Sequence, residues 1–165
     1  MTNTPPLLHL VCGKIAAGKS TLCLEMTQTP STILLSEDAL LSALYSNDMK
    51  SFDDYVKYSA RLKTAMEGHI VSLLQAGISV VLDFPANTVQ QRRWMLGLAK
   101  SADVEHTLHY LDVAEELCRE RLRQRNNRGS HEFAASDAEF DLISSYFVSP
   151  DTSEGLNIVL HSSQE

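Results

Sequence analysis

Eight consecutive residues, Gly13-Lys14-Ile15-Ala16-Ala17-Gly18-Lys19-Ser20, match the pattern G-x-x-x-x-G-K-[ST] at every defined position. At average residue frequencies, such a match arises by chance in roughly one chain of this length in two hundred. The spacing serves one kind of chemistry. Glycines let the backbone turn inward, so that successive N–H groups aim at one anion, and the N-terminus of a following helix adds its positive end. Lys19 supplies a point charge for the β and γ phosphates of a nucleotide. The Ser20 hydroxyl is a hard oxygen ligand suited to Mg²⁺. The motif therefore implies a phosphate cradle made of Gly13, Lys14, Ile15, Ala16, Ala17, Gly18, Lys19, Ser20 and Thr21. A glycine-rich turn with an exposed lysine would not require the complete pattern.

A second signal is Val80-Val81-Leu82-Asp83, an apolar run that ends in a carboxylate. Beside a phosphate cradle, an aspartate at a strand end can help hold Mg²⁺, usually through water. The other reading of Asp83 is a turn former. Arg92 and Arg93 follow on a helix, as surface residues or with one reaching a phosphate. Lys57 and Arg61 form an i,i+4 pair that serves solubility. The six histidines show no ligand spacing, and His131 reads as a loop residue. Cys12, Cys23 and Cys118 form no CxxC pair and read as reduced, buried thiols. Trp94 sits among apolar neighbours and reads as core.

Elements must position these groups. Strand-length apolar runs occur at 7–12, 32–36, 78–83, 106–112 and 157–161. The middle runs are rich in Val, Ile and Leu, as in strands buried on both faces. Helical patterns lie between them at 20–28, 51–75 and 114–125, with further starts at Thr88 and Ser136. In 51–75 the expected inward face is Phe52, Val56, Leu62, Met66, Ile70 and Leu73. Ser51 with Asp54, Thr88 with Gln91 and Ser136 with Glu139 have capping-box spacing, and Gly77 stands past one helix end. Residues 126–136 are polar and read as a loop. Strands alternating with helices imply right-handed crossovers and a parallel sheet covered by helices, an α/β fold in three layers.

The chain has 165 residues, which fits one domain over 1–165. Its 21 acidic and 14 basic residues give a formal net charge of -7, which argues against a polynucleotide partner bound through its phosphates. Residues 1–6 lack signal-peptide character, and no apolar run approaches a membrane span, so the expected compartment is the cytoplasm.

The chain has no Asn-Lys-x-Asp to read guanine and no Leu-Ser-Gly-Gly-Gln signature, and it is short for a two-part hexameric ATPase. What remains resembles the small P-loop phosphotransferases: zeta toxins, chloramphenicol phosphotransferase, gluconate kinase and polynucleotide kinase-like AAA-type ATP-binding proteins. The resemblance spans about 7–160 and is strongest at the phosphate loop. It implies a five-stranded parallel sheet in the order 2-3-1-4-5, and ATP and Mg²⁺ as cofactors. The γ-phosphoryl group would move to a hydroxyl of a small molecule.

In that family an aspartate after the second strand acts as base toward the acceptor. The counterpart in Leu34-Leu35-Ser36-Glu37-Asp38 is Asp38, whose other reading is the cap of a helix beginning at Ala39. Many members carry an arginine three positions on, which favours an anionic or strongly polar acceptor, and here that place is Leu41. The cluster Arg119, Arg121, Arg123, Arg125 and Arg128 resembles a lid. Arg121 and Arg125, one helical turn apart, are its catalytic candidates, because guanidinium groups stabilise charge spreading over a transferring phosphoryl group. Arg119 and Arg123 read instead as partners of Glu115, Glu116 and Glu120 on a solvated helix. Two other functions stay open: a polynucleotide 5′-hydroxyl kinase, and a non-catalytic ATP-binding module.

Overall fold

The apolar runs become five parallel strands in the computed structural model, which describes residues 4–129 and 135–162. They are β1 (Leu7–Gly13), β2 (Thr32–Ser36), β3 (Ser79–Asp83), β4 (Glu105–Asp112) and β5 (Ile158–Ser162), in the order β2-β3-β1-β4-β5. Every pairing is parallel. Among the described residues six α-helices connect them: α1 (Lys19–Met26), α2 (Glu37–Tyr45), α3 (Phe52–Gln75), α4 (Val89–Ala102), α5 (Glu115–Arg128) and α6 (Asp137–Ser145). Architecture and strand order are those the resemblance implies.

Alternation along the strands divides the core. Leu8, Leu10, Val80, Leu82 and Leu108 pack with Leu62, Ile70 and Leu74 of α3 and Met95 and Leu98 of α4. Val11, Val81 and Leu111 face the other way, toward Cys23 of α1, Cys118 and Leu122 of α5, and Phe140 of α6. The central strands thus bury both faces, as their unbroken apolar sequences require. Among the described residues, no helix is long and apolar enough to cross a membrane.

Helix starts follow their caps. Thr88 with Gln91 and Ser136 with Glu139 form reciprocal capping boxes. Ser51 Oγ accepts from Asp54 N, while the Asp54 carboxylate reaches back to the Lys50 amide and the Ser51 hydroxyl. Two expectations change. Helix α5 continues through Arg128 and closes on Gly129 at φ 61, so 126–128 are helical rather than loop. His131 lies outside the described residues. At the start of α3, Phe52 and Val56 remain exposed, and the inward positions are Tyr55, Ser59 and Leu62. The helix rolls that way because its first turns meet a buried carboxylate, Glu37, rather than apolar side chains.

Arg92 also departs from expectation, because it is not a surface residue. It is fully buried. Its Nε and Nη2 donate to the two carboxylate oxygens of Glu154 at 2.9 and 2.8 Å. Nη1 donates to the Ala86 and Val148 carbonyls. One guanidinium thereby ties the start of α4 to the segment that leads into β5. Removing one member of a buried, hydrogen-bonded pair strands the other and typically costs about 3–5 kcal/mol. Arg92→Met should lower the urea unfolding free energy by that amount, whereas Arg93→Met, on an exposed neighbour, should leave it unchanged.

Candidate active site

The phosphate loop begins where β1 ends. Gly13 lies so close to β4 that a Cβ there would stand 2.9 Å from the Leu111 carbonyl oxygen and 3.3 Å from the Ala17 Cβ. Only glycine fits. Ala17 N closes the turn on the Lys14 carbonyl at 3.2 Å. Ala16 and Gly18 have left-handed backbone, at φ 61 and 101. Positive φ is ordinary for glycine and costly for alanine, so Ala16 is a strained point held by the loop around it. Ala17 is buried, Ile15 packs beside it, and Thr21 is exposed on α1. Helix α1 opens without a side-chain cap and without an acidic residue in its first turn. Its positive end is therefore left for an anion.

Lys19 curls back into the loop. Its Nζ donates to the carbonyls of Gly13 and Lys14 at 2.8 and 2.7 Å. Burial pushes its pKa down, and the nearby Asp83 carboxylate opposes that. Ser20 Oγ donates to Asp83 Oδ2 at 3.0 Å, which joins the first turn of α1 to the end of β3. This hydroxyl–carboxylate pair is a hard-oxygen donor set that suits Mg²⁺. Among the described residues, no three His, Cys, Asp or Glu side chains converge to hold a metal. A cation here would complete its shell with phosphate oxygens and water.

Beside Asp83 stands the end of β2, with Ser36 as its register partner. Helix α2 starts at Glu37, and Ser36 is its cap, its Oγ accepting from Ala39 N at 3.4 Å. Asp38 is thus not the cap. It lies exposed in the first turn of α2, two residues beyond the partner of Asp83. Leu41 is buried, so this position of the turn offers no cation.

Sequence reading missed Glu37. It is fully buried, and its two oxygens accept from Tyr55 Oη at 2.8 Å and Ser59 Oγ at 2.5 Å. The carboxylate pushes the Tyr55 phenol further upward, adding to burial. The bonds pin α3 to the turn that carries Asp38. The available signal was Tyr55 and Ser59 at i,i+4 spacing, two hydroxyls on what reads as an apolar face.

The arginines of α5 divide. Arg119 bonds Glu115 at 2.7 Å and also Asp141, and lies over the Phe140 ring. Arg123 pairs with Asp137 at 2.9 Å. Arg121 Nη1 instead comes within 3.4 Å of the Ala17 carbonyl oxygen, and Arg125 holds a buried Nε with no hydrogen-bond partner among the described residues. Lys14 Nζ, bonded to Glu115 at 3.1 Å, is the other side-chain tie between loop and helix. The Arg121 tie is long and the Lys14–Glu115 pair is only half-buried, so both contribute little. Backbone amides of α5 should therefore exchange faster in the free protein than with MgATP, as read by hydrogen exchange mass spectrometry. Equal exchange would make α5 an ordinary surface helix.

Sequence comparison with curated proteins finds no match. Solved structures do match in shape. A candidate kinase from Chloroflexus aurantiacus superposes with TM-score 0.74 at 22% identity, covering 96% of this chain and 89% of that one. Kti12 from Chaetomium thermophilum, in complex with ADP-AlF3, gives 0.70 at 19%, covering 95% and 89%. The Mycobacterium tuberculosis APS kinase CysC, in complex with AMPPNP and APS, gives 0.54 at 16%, covering 77% and 76%. At such identities the likeness is one of fold alone. The AAA domain family model matches residues 8–150, and the chain belongs to that family.

Proposed function

We propose that this protein is an ATP- and Mg²⁺-dependent phosphotransferase that moves the γ-phosphoryl group to a hydroxyl of a small molecule. The observation that carries the reading is the grouping at the tops of β1, β2 and β3. There the phosphate loop and the Ser20–Asp83 pair meet, and Asp38 follows two residues after Ser36, the register partner of Asp83. A pure nucleotide sensor has no use for a carboxylate at the third position.

In this reading the loop amides and the α1 terminus bind the β and γ phosphates. Lys19 exchanges its two carbonyl partners for phosphate oxygens. Ser20 and Asp83 would hold Mg²⁺, whose charge, when bound, offsets that of the triphosphate. Asp38 takes the proton of the acceptor hydroxyl as its oxygen bonds to the γ phosphorus and the bond to the departing ADP oxygen breaks. Arg121 and Arg125 steady the charge on the transferring group, where preorganised cations act most strongly. Glu37 is held by Tyr55 and Ser59 and serves to position the turn. Buried Leu41 and the chain's acidic balance support an acceptor without strong negative charge.

Two substitutions separate the steps. Lys19→Met keeps most of the side-chain volume and removes the charge, so ATP affinity in calorimetry should fall at least ~10-fold, the worth of one charge-assisted hydrogen bond. Asp38→Asn should leave ATP affinity and Tm unchanged and slow transfer by ~10² to 10⁴-fold, the usual contribution of a general base. The acceptor for that assay comes from incubating a metabolite extract with protein, ATP and Mg²⁺. Mass spectrometry then finds species that gain one phosphoryl group. No such species, or Asp38→Asn turning over like the parent, would overturn the reading.

A further inference from the structure

On the sheet face toward α1, α5 and α6, three imidazoles on neighbouring strands meet ring to ring. His9 Nδ1 of β1 lies 3.2 Å from His109 Nε2 of β4, and His109 Nδ1 lies 3.0 Å from His161 Nε2 of β5. The register makes this possible. His109 pairs with Val11, two residues past His9, and His161 pairs with Leu111, two residues past His109. Each ring reaches the next along the diagonal of the sheet. The ladder ends at the edge strand.

Counting protons shows what the arrangement tolerates. Each neutral imidazole carries one N–H and one bare nitrogen, and each ring-to-ring bond needs one bare nitrogen. With all rings neutral, both bonds form only when the three share one tautomer, all Nδ1–H or all Nε2–H. One added proton leaves two bare nitrogens, enough for both bonds. A second leaves one, and a bond must break.

Burial lowers the pKa of His9 and His109, and the neighbouring rings push His109 further, down to about 4. Among the described residues, several charged groups on the elements of this face are engaged elsewhere. On β4, Glu105 of the same face accepts from Asn157 Nδ2. On α5 and α6, Glu115, Arg119, Arg123, Asp137 and Asp141 pair with one another or with Lys14. Glu25 of α1 is exposed.

We propose that His9, His109 and His161 form a proton-operated clasp on β5, which stays closed with up to one added proton and opens at the second. The direction follows from linkage. Below the ordinary 6.5 and down to about 4, the unfolded chain binds more protons at His109 than the folded one, so stability falls as pH falls through that window.

The test uses the full chain with ¹⁵N-labelled histidine. Ring resonances and β5 amide protection factors are followed by NMR from pH 8 to pH 4. At pH 8 the three rings should report one tautomer. As the second proton binds, protection at 159–162 should drop about tenfold while that of β1 holds. In His109→Gln the drop should vanish, and the fall in Tm between pH 7 and pH 5 should shrink by about 5 °C. If that variant does not fold, His161→Gln, at the half-buried edge, is read in the same way. Mixed tautomers at pH 8, independent titration of the rings, or β5 protection that is constant through the titration would each overturn the clasp.

Discussion

Everything at the site depends on the closeness of Gly13 to the Leu111 carbonyl, where no Cβ fits. That contact seats the phosphate loop directly on the sheet between β1 and β4. With the backbone seated there, the carbonyls of Gly13 and Lys14 turn toward the Lys19 ammonium, and the Ser20 hydroxyl comes to the end of β3. A side chain at position 13 would lift the loop and separate all three. In the proposed reading these carbonyls hold the places that phosphate oxygens would take, so the cation is already aimed and little rearrangement is left for binding.

The phosphate loop was legible because its chemistry is local. Eight adjacent residues carry it, and the strand before and helix after are short-range patterns. The five strands were legible because burial on both faces leaves unbroken apolar runs. Helix starts were legible at Thr88 and Ser136, where the cap and its partner lie three residues apart. The cap of α2 was misplaced because Ser36 and Asp38 are both good caps, and the choice between them rests on where β2 ends.

What was not legible is the buried polar chemistry, because its partners are distant in sequence. Glu37 depends on hydroxyls 18 and 22 residues away, and Arg92 on a carboxylate 62 residues away. The histidines of the ladder are 100 and 52 residues apart. Composition marks such residues as surface, since charged side chains are seldom buried unless paired. Arg92 and Glu37 are buried because each is paired, and each joins a helix to the chain segment it packs against. Their value is in geometry: a specific, directional tie in a place where apolar packing alone would allow sliding.

The edge position of β5 has a further consequence, for life in concentrated solution. Its sequence, Ile158-Val159-Leu160-His161-Ser162, contains no Lys, Glu or Pro, and Val159 and Leu160 are 45% and 59% exposed. Edge strands usually carry charge, a bulge or proline to discourage pairing with a neighbour's edge. This one has a histidine instead, and a charge-free run with high strand propensity is the kind of segment that templates cross-strand assembly. The charge of -7 spread over the rest of the chain supplies a general repulsion, one that salt screens. Colloidal stability of this protein is therefore tied to ionic strength, and association through the β5 edge becomes easier as salt rises.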